Sequence, residues 1–246
     1  MSVVLVTGGS GVLGSRVVPL LRERGHEVRV LSRRPDAGTH VGNLYTGEGI
    51  AEAARDAELV LHAASDTHRQ GRSDLEQTQR LLEASIGARH LVYVSIVGID
   101  RIPYGYYKRK LACEAAIAAS QIPHTILRAT QFHELLAGGL AAAGRLPLVA
   151  LPLDWQFQSV AAADVAERAA EILDGEPRGR ATDFGGPEVL SARTIVDVWR
   201  ARHGRPRRVV KLRLPGRFSS GLREGRNTCP EHADGRQRWA EFVNGG

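Results

Sequence analysis

The chain has 246 residues, 33 lysines and arginines against 27 aspartates and glutamates, and a formal charge of +6. With 43% hydrophobic and 24% charged residues it has the make-up of a folded globular protein, long enough for one large domain with an appended lobe and too apolar for a disordered one. The basic excess is local: residues 191–246 hold 13 basic and 5 acidic side chains, leaving the first 190 residues at −2. A nucleic-acid binder spreads its charge along a recognition element, often with aromatics between, so no nucleic-acid partner is expected. The dense run Arg205, Arg207, Arg208, Lys211 and Arg213 reads as a solvated face.

In chain order, short β-branched runs alternate with longer amphipathic stretches. Residues 3–6, 27–31, 59–62, 91–94 and 125–127 read as buried strands, being continuous apolar runs with few charges. Residues 12–24, 50–56, 75–85 and 106–120 carry apolar side chains at three- and four-residue spacing and read as helices. Strictly alternating strands and helices predict an α/β fold, a doubly wound parallel sheet covered on both faces. Beyond residue 130 the rhythm changes to two helices, 165–173 and 192–203, and one exposed strand over 209–214. The reading is a dinucleotide-type core over 1–130 and a C-terminal segment, 131–246, that adds late sheet elements and a small substrate lobe.

No run of about 18 apolar residues is present, and Met1–Val6 lacks a positive n-region, so neither a transmembrane helix nor a signal peptide is expected. Cys113 and Cys229 stand far apart without Cys/His spacing, which points to a reducing compartment without disulfides or structural zinc. A cytoplasmic protein, monomer or homodimer, without membrane or metal is the expectation.

The sharpest motif is Thr7-Gly8-Gly9-Ser10-Gly11-Val12-Leu13-Gly14, between the first strand and the first helix. In such a turn the first glycine of the spaced set Gly8, Gly11, Gly14 allows the tight bend. The second lets backbone approach a pyrophosphate, and the third lets helix and strand pack closely. The helix N-terminus beyond presents free N–H groups to the phosphates. At the end of the second strand stands Ser32-Arg33-Arg34, with no acid before Asp36. An acid there would hold a ribose 2′-hydroxyl; guanidinium groups suit a 2′-phosphate, so NADP is the expected cofactor.

With these motifs the chain resembles the short-chain dehydrogenase/reductase superfamily, in particular its atypical, extended branch, the NmrA-like NAD(P)-binding, epimerase-like group. The resemblance extends through Val60–Ser65, Leu91–Gly98, Tyr106–Lys110, Leu127–Glu134 and Phe184–Glu188. It implies that His62, Ala63, Ala64 and Ser65 line the adenosine side and that Ser95 ends a strand beside the nicotinamide. It also places Asn43 and Leu44 against the adenine, Asn43 standing where relatives carry aspartate.

Lysine occurs only at Lys108, Lys110 and Lys211, and two of the three fall in Tyr104-Gly105-Tyr106-Tyr107-Lys108-Arg109-Lys110. An ammonium hydrogen-bonds ribose hydroxyls and eases proton transfer from a nearby phenol. The superfamily's Tyr-x-x-x-Lys fits two registers, Tyr104/Lys108 and Tyr106/Lys110. The second is preferred, because Pro103 and Gly105 set Tyr104 in a loop and residues four apart share a face only inside a helix. The expected catalytic set is Tyr106 as proton donor, Lys110 on the cofactor ribose and Ser95 at the developing oxyanion. Phe132 and His133, after a predicted strand end, and Trp155 in the lobe are candidate contacts for a small-molecule substrate. The expected activity is NADP-dependent reduction of a ketone, enone or quinone. An NmrA-like redox sensor without turnover is the alternative, and a sugar-nucleotide epimerase the third reading.

Overall fold

The structure, a computed structural model, describes residues 1–35, 38–206 and 208–245; Asp36 and Arg207 lie outside the described residues. In chain order the first half runs β1 (Val3–Thr7), α1 (Gly14–Glu23), β2 (Glu27–Ser32), β3 (Thr39–Val41), α2 (Ile50–Ala54), β4 (Leu59–His62), α3 (Asp74–Ala84), β5 (His90–Ile96), α4 (Gly105–Ala119) and β6 (His124–Ala129). The second half runs α5 (His133–Ala143), β7 (Leu148–Leu151), β8 (Gln156–Phe157), α6 (Ala162–Asp174), β9 (Gly179–Arg180), β10 (Leu190–Ser191), α7 (Ala192–His203), β11 (Arg208–Lys211), α8 (Arg217–Arg223) and α9 (Trp239–Gly245). The chain divides into two units: Met1–Ser95, Gly105–Arg128 and Val165–Thr182 form the first, the remainder the second.

The first unit is built on one parallel sheet of seven strands in the order β3-β2-β1-β4-β5-β6-β9. The order reverses between β1 and β4, whose pairing sets Thr7 beside His62 at the carboxyl ends of both strands. In doubly wound sheets ligands gather at that switch point. All four residues of β4 are buried, which is why it reads as an unbroken apolar run. Helix α1 buries Gly14, Val17, Val18 and Leu21, one stripe at helical spacing. It begins at Gly14 and not at residue 12, because the intervening residues form the glycine turn.

Helix α4 buries Lys110, Cys113, Glu114 and Ile117 on the equivalent stripe, so two charged residues stand where packing alone would place apolar ones. The Glu114 carboxylate is matched by Arg128, whose Nε and Nη2 donate to its two oxygens at 2.9 and 2.6 Å. Helix α3 likewise turns Asp74 and Thr78 to the interior with Leu81 and Leu82.

The second unit holds two small sheets, an antiparallel β8–β10 pair and a parallel β7–β11 pair. The exposed strand read over 209–214 is thus β11, shorter and one residue earlier. The unit's core gathers Leu140, Leu153, Ile195, Val196, Trp239 and Val243 from α5, α7, α9 and the loop after β7. Cys113 and Cys229 are both buried free thiols, the latter pushed up to about 12 chiefly by burial. Among the described residues no helix is long and apolar enough to cross a membrane.

Candidate active site

The turn after β1 is shaped by close backbone approach. Gly8 has φ +74°, and a Cβ there would stand 2.7 Å from the Ala64 amide nitrogen and 2.9 Å from the Ala63 carbonyl oxygen. At Gly14 a Cβ would fall 2.2 Å from the Gly8 carbonyl oxygen, so the start of α1 lies directly on the turn. The Gly11 amide donates to the Gly8 carbonyl at 2.9 Å, and Ser10, Gly11 and Val12 are exposed while Leu13 is buried beneath them. Backbone is thus offered to solvent at the sheet's switch point, with the first turn of a helix behind it, as dinucleotide phosphates require.

Arg33 and Arg34 follow β2 with exposed side chains, and the Arg34 amide donates to the Ser32 hydroxyl at 3.1 Å. Asn43 spends its side-chain oxygen locally, accepting from the Tyr45 amide at 3.0 Å, and Leu44 is buried. The His62 ring is turned inward. It is 2% exposed, with Nδ1 paired to the Thr7 hydroxyl at 2.7 Å and Nε2 to the Thr78 hydroxyl at 3.1 Å. Burial first, and then the charge of Lys110, lower its pKa to about 3, so it stands as a neutral strut tying β1, β4 and α3 together. Ala63 and Ala64 meet the glycine turn through their backbone.

Tyr106 and Lys110 sit one turn apart within α4, whereas Tyr104 precedes the helix, its ring 5.1 Å from Phe218, and Lys108 is exposed. Lys110 Nζ donates to the Val94 carbonyl at 3.4 Å and lies 4.5 Å from the centre of the Tyr93 ring. No ion pair of Lys110 is found among the described residues. Burial pushes its ammonium down, opposed by the negative charge of Asp74 and by Cys113 and Glu114. Ser95, the residue after Val94, has a buried hydroxyl with no hydrogen-bond partner among the described residues. An orphaned buried hydroxyl costs stability unless a ligand completes it. Glycine cradle, exposed turn and orphan hydroxyl together fit a bound nicotinamide dinucleotide.

Ser65, expected on the adenosine side, and Asp74, which the sequence did not point to, complete this cluster. The Tyr106 phenol is 2.9 Å from the Ser65 hydroxyl, and Ser65 donates to Asp74 Oδ2 at 2.6 Å. Asp74 is 4% exposed, and its other oxygen accepts from the Asp66 amide at 2.7 Å. The one available signal was an acid on the buried stripe of α3.

In the second unit, His133 has no exposure at all. Its Nδ1 pairs with the Ser159 hydroxyl and its Nε2 with the Gln237 carbonyl, both at 2.9 Å, with Trp239 and Phe242 against the ring. Both nitrogens are engaged, and the ring is part of this unit's core. Phe132 is half-buried at the start of α5. Trp155, also half-buried, donates to the Ser219 hydroxyl at 2.9 Å and meets Phe218 edge-on at 5.6 Å. No group of three or more His, Cys, Asp or Glu side chains among the described residues is placed to hold a metal ion.

A parallel sheet with a glycine cradle at its switch point defines a dinucleotide-binding protein of Rossmann type. More particularly, residues 8–176 match the NAD(P)H-binding family, and the chain belongs to it. Among curated proteins, a 3-beta-hydroxysteroid dehydrogenase of Mycolicibacterium neoaurum is 34% identical over 112 residues, which is 41% of this chain and only 31% of that protein. A bifunctional pinoresinol-lariciresinol reductase of Linum perenne is 26% identical, over 94% of this chain and 83% of its own length. Among solved structures, an NADPH-dependent quinone oxidoreductase from Escherichia coli in complex with NADPH superposes with a TM-score of 0.79 at 16% identity, over 98% of this chain and 99% of that one. A short-chain dehydrogenase/reductase superfamily protein from Agrobacterium tumefaciens with bound NAD gives 0.73 at 19% identity, over 99% and 95%. These likenesses show the fold.

Proposed function

We propose that the protein is an NADP-dependent oxidoreductase that reduces a small organic acceptor, a ketone, enone or quinone. The observation that carries this reading is the alignment of Tyr106 and Lys110 on one face of α4, with Lys110 buried against the Val94 carbonyl and the unpartnered Ser95 hydroxyl next in sequence. When bound, the nicotinamide supplies hydride. Tyr106 delivers the proton to the acceptor oxygen and Ser95 donates to that oxygen as charge develops on it. Lys110 holds the cofactor ribose and, as a buried cation, favours proton release from the phenol. Arg33 and Arg34 are assigned to the 2′-phosphate, supported by their exposure after β2 and the lack of an acid there. Gly8 to Gly14 bind the pyrophosphate. That the relatives are named dehydrogenases and reductases supports the class of chemistry.

The deciding experiment is a fluorescence titration with NADPH and NADH, followed by NADPH consumption against a panel of ketones, enones and quinones. Consumption with at least one acceptor, lost in Tyr106→Phe, is the expected result. Saturable binding without consumption across the panel would replace the reductase by a sensor. Equal affinity for NADH would remove the role of Arg33 and Arg34.

A further inference from the structure

We propose that Ser65 and Asp74 form a positioning relay that aims the Tyr106 phenol and keeps its proton in place until an acceptor arrives. This rests on the assignment of Tyr106 as proton donor. The direction of the relay follows from hydrogen count. A carboxylate only accepts, so the 2.6 Å contact uses the single hydrogen of Ser65 toward Asp74 Oδ2. The Ser65 oxygen must then accept from Tyr106 across the 2.9 Å contact, and the chain runs phenol to hydroxyl to carboxylate. Nothing in it is loose. Asp74 is 4% exposed and is fixed at its second oxygen by the Asp66 amide at 2.7 Å. Gly71, at φ +73°, brings the loop so close that a Cβ would stand 2.9 Å from both Asp74 Oδ2 and the Tyr106 ring.

The charged and titratable groups about the phenol come from three elements. Lys110 and Arg109 lie on α4, with Cys113 one turn further; Arg109 donates to the Gln70 carbonyl at 3.1 Å. Asp74 opens α3 and Asp66 stands in the loop before it, its carboxylate accepting from the Ser73 hydroxyl at 2.9 Å. Tyr93 belongs to β5 and carries the Lys110 ammonium on its ring face. Lys110 favours the phenolate and Asp74 the phenol. A relay ending in a carboxylate therefore sets the balance toward a donor that arrives protonated, as reduction needs. Once the phenol proton has gone to the acceptor oxygen, the phenolate becomes an acceptor, the Ser65 hydrogen turns to it, and solvent supplies the replacement proton.

The test is NMR of protein labelled with ¹³Cζ-tyrosine, with Tyr106 assigned by Tyr106→Phe and its titration followed in the wild type and in Asp74→Asn. Removing the charge is expected to lower the Tyr106 midpoint by about one unit. The high-pH limb of NADPH consumption should move with it. Ser65→Ala keeps the Asp74 charge and its bond to Asp66. It should shift the Tyr106 resonance at neutral pH and lower kcat about tenfold with NADPH affinity unchanged. A Tyr106 midpoint unmoved in folded Asp74→Asn overturns the relay, and so does a Tyr106 resonance unmoved in Ser65→Ala. Both NMR readouts stand without turnover. Should Tyr106→Phe retain full activity, the proton-donor assignment fails on its own while the hydrogen-bond chain is still judged by the spectra.

Discussion

In the second unit the buried Asp164 is fully occupied: one oxygen accepts from the Arg236 and Gln237 amides at 2.8 and 3.1 Å, and the other lies 3.4 Å from the Arg236 guanidinium. In the first unit Lys110, also buried, makes no ion pair among the described residues and lies against a carbonyl at 3.4 Å and an aromatic ring. A buried charge with every bond satisfied ties chain together; here it fixes the segment that leads into α9. A buried charge held loosely costs stability and is kept where chemistry uses it. The two buried histidines do not show this division, since both are fully bonded: His133 pairs with Ser159 and the Gln237 carbonyl in the second unit, and His62 pairs with Thr7 and Thr78, tying β1, β4 and α3 together in the first.

Glycines give the largest test of this contrast. At Gly14 a Cβ would meet the Gly8 carbonyl at 2.2 Å, while at Gly138, inside α5, nothing lies within 4 Å. Gly14→Ala is expected to cost roughly 3 kcal/mol or more, by overpacking, and to abolish cofactor binding. Gly138→Ala should instead gain roughly 0.5–1 kcal/mol from helix propensity. Denaturant melts of the two variants read this directly, and equal effects would dissolve the distinction between a close-packed cradle and an ordinary helix.

Tyr106→Phe comes next, with turnover down by about 10²-fold or more and NADPH affinity unchanged, measured by steady-state kinetics beside fluorescence titration. A parallel loss of affinity would make the phenol a cofactor clamp.

His62 supplies a pH dependence. Its pKa is about 3 in the fold, against an ordinary value of 6.5. Between those values the unfolded chain binds a proton that the native state refuses, so stability is lost as pH falls through 6.5 and levels off near 3. At pH 4.5 the loss is about 2 to 3 kcal/mol relative to neutral pH. His62→Asn, although weaker at pH 7, should lack that part of the slope in urea melts at the two pH values.

These comparisons also show what could be read from the sequence. Strands β1, β2, β4, β5 and β6 were legible because buried parallel strands are continuous apolar runs. Strands β3 and β9 were not, since Thr39–Val41 and Gly179–Arg180 are strands only through a neighbour's edge. Helix α5 was hidden by Gly138-Gly139 in its middle, and α9 by its short length. The glycine cradle is local and was read whole. The Tyr106–Ser65–Asp74 chain joins residues 41 and 9 positions apart, so no window of sequence contains it. His62 was visible as a strand end, but which way its ring turned was decided by Thr7 and Thr78 on neighbouring elements.

Arg33→Ala with Arg34→Ala probes the edge of the cradle. Both side chains are exposed, so each contact with a 2′-phosphate is screened, and the double change should weaken NADPH about tenfold while leaving NADH within about twofold. Titration with both nucleotides reads the ratio, and equal losses would assign these residues to the fold and not to the phosphate.

Trp155 carries the smallest expected effect, and the one that bears on the second unit alone. Its indole N–H donates to Ser219, which also accepts from Arg223 at 2.8 Å, and its ring meets Phe218 edge-on, with Tyr104 on Phe218 in turn. Trp155→Phe keeps an aromatic face and removes one neutral hydrogen bond, so the melt should lose about 1 kcal/mol. A melt unchanged in Trp155→Phe would leave the cluster with ring packing as its whole role.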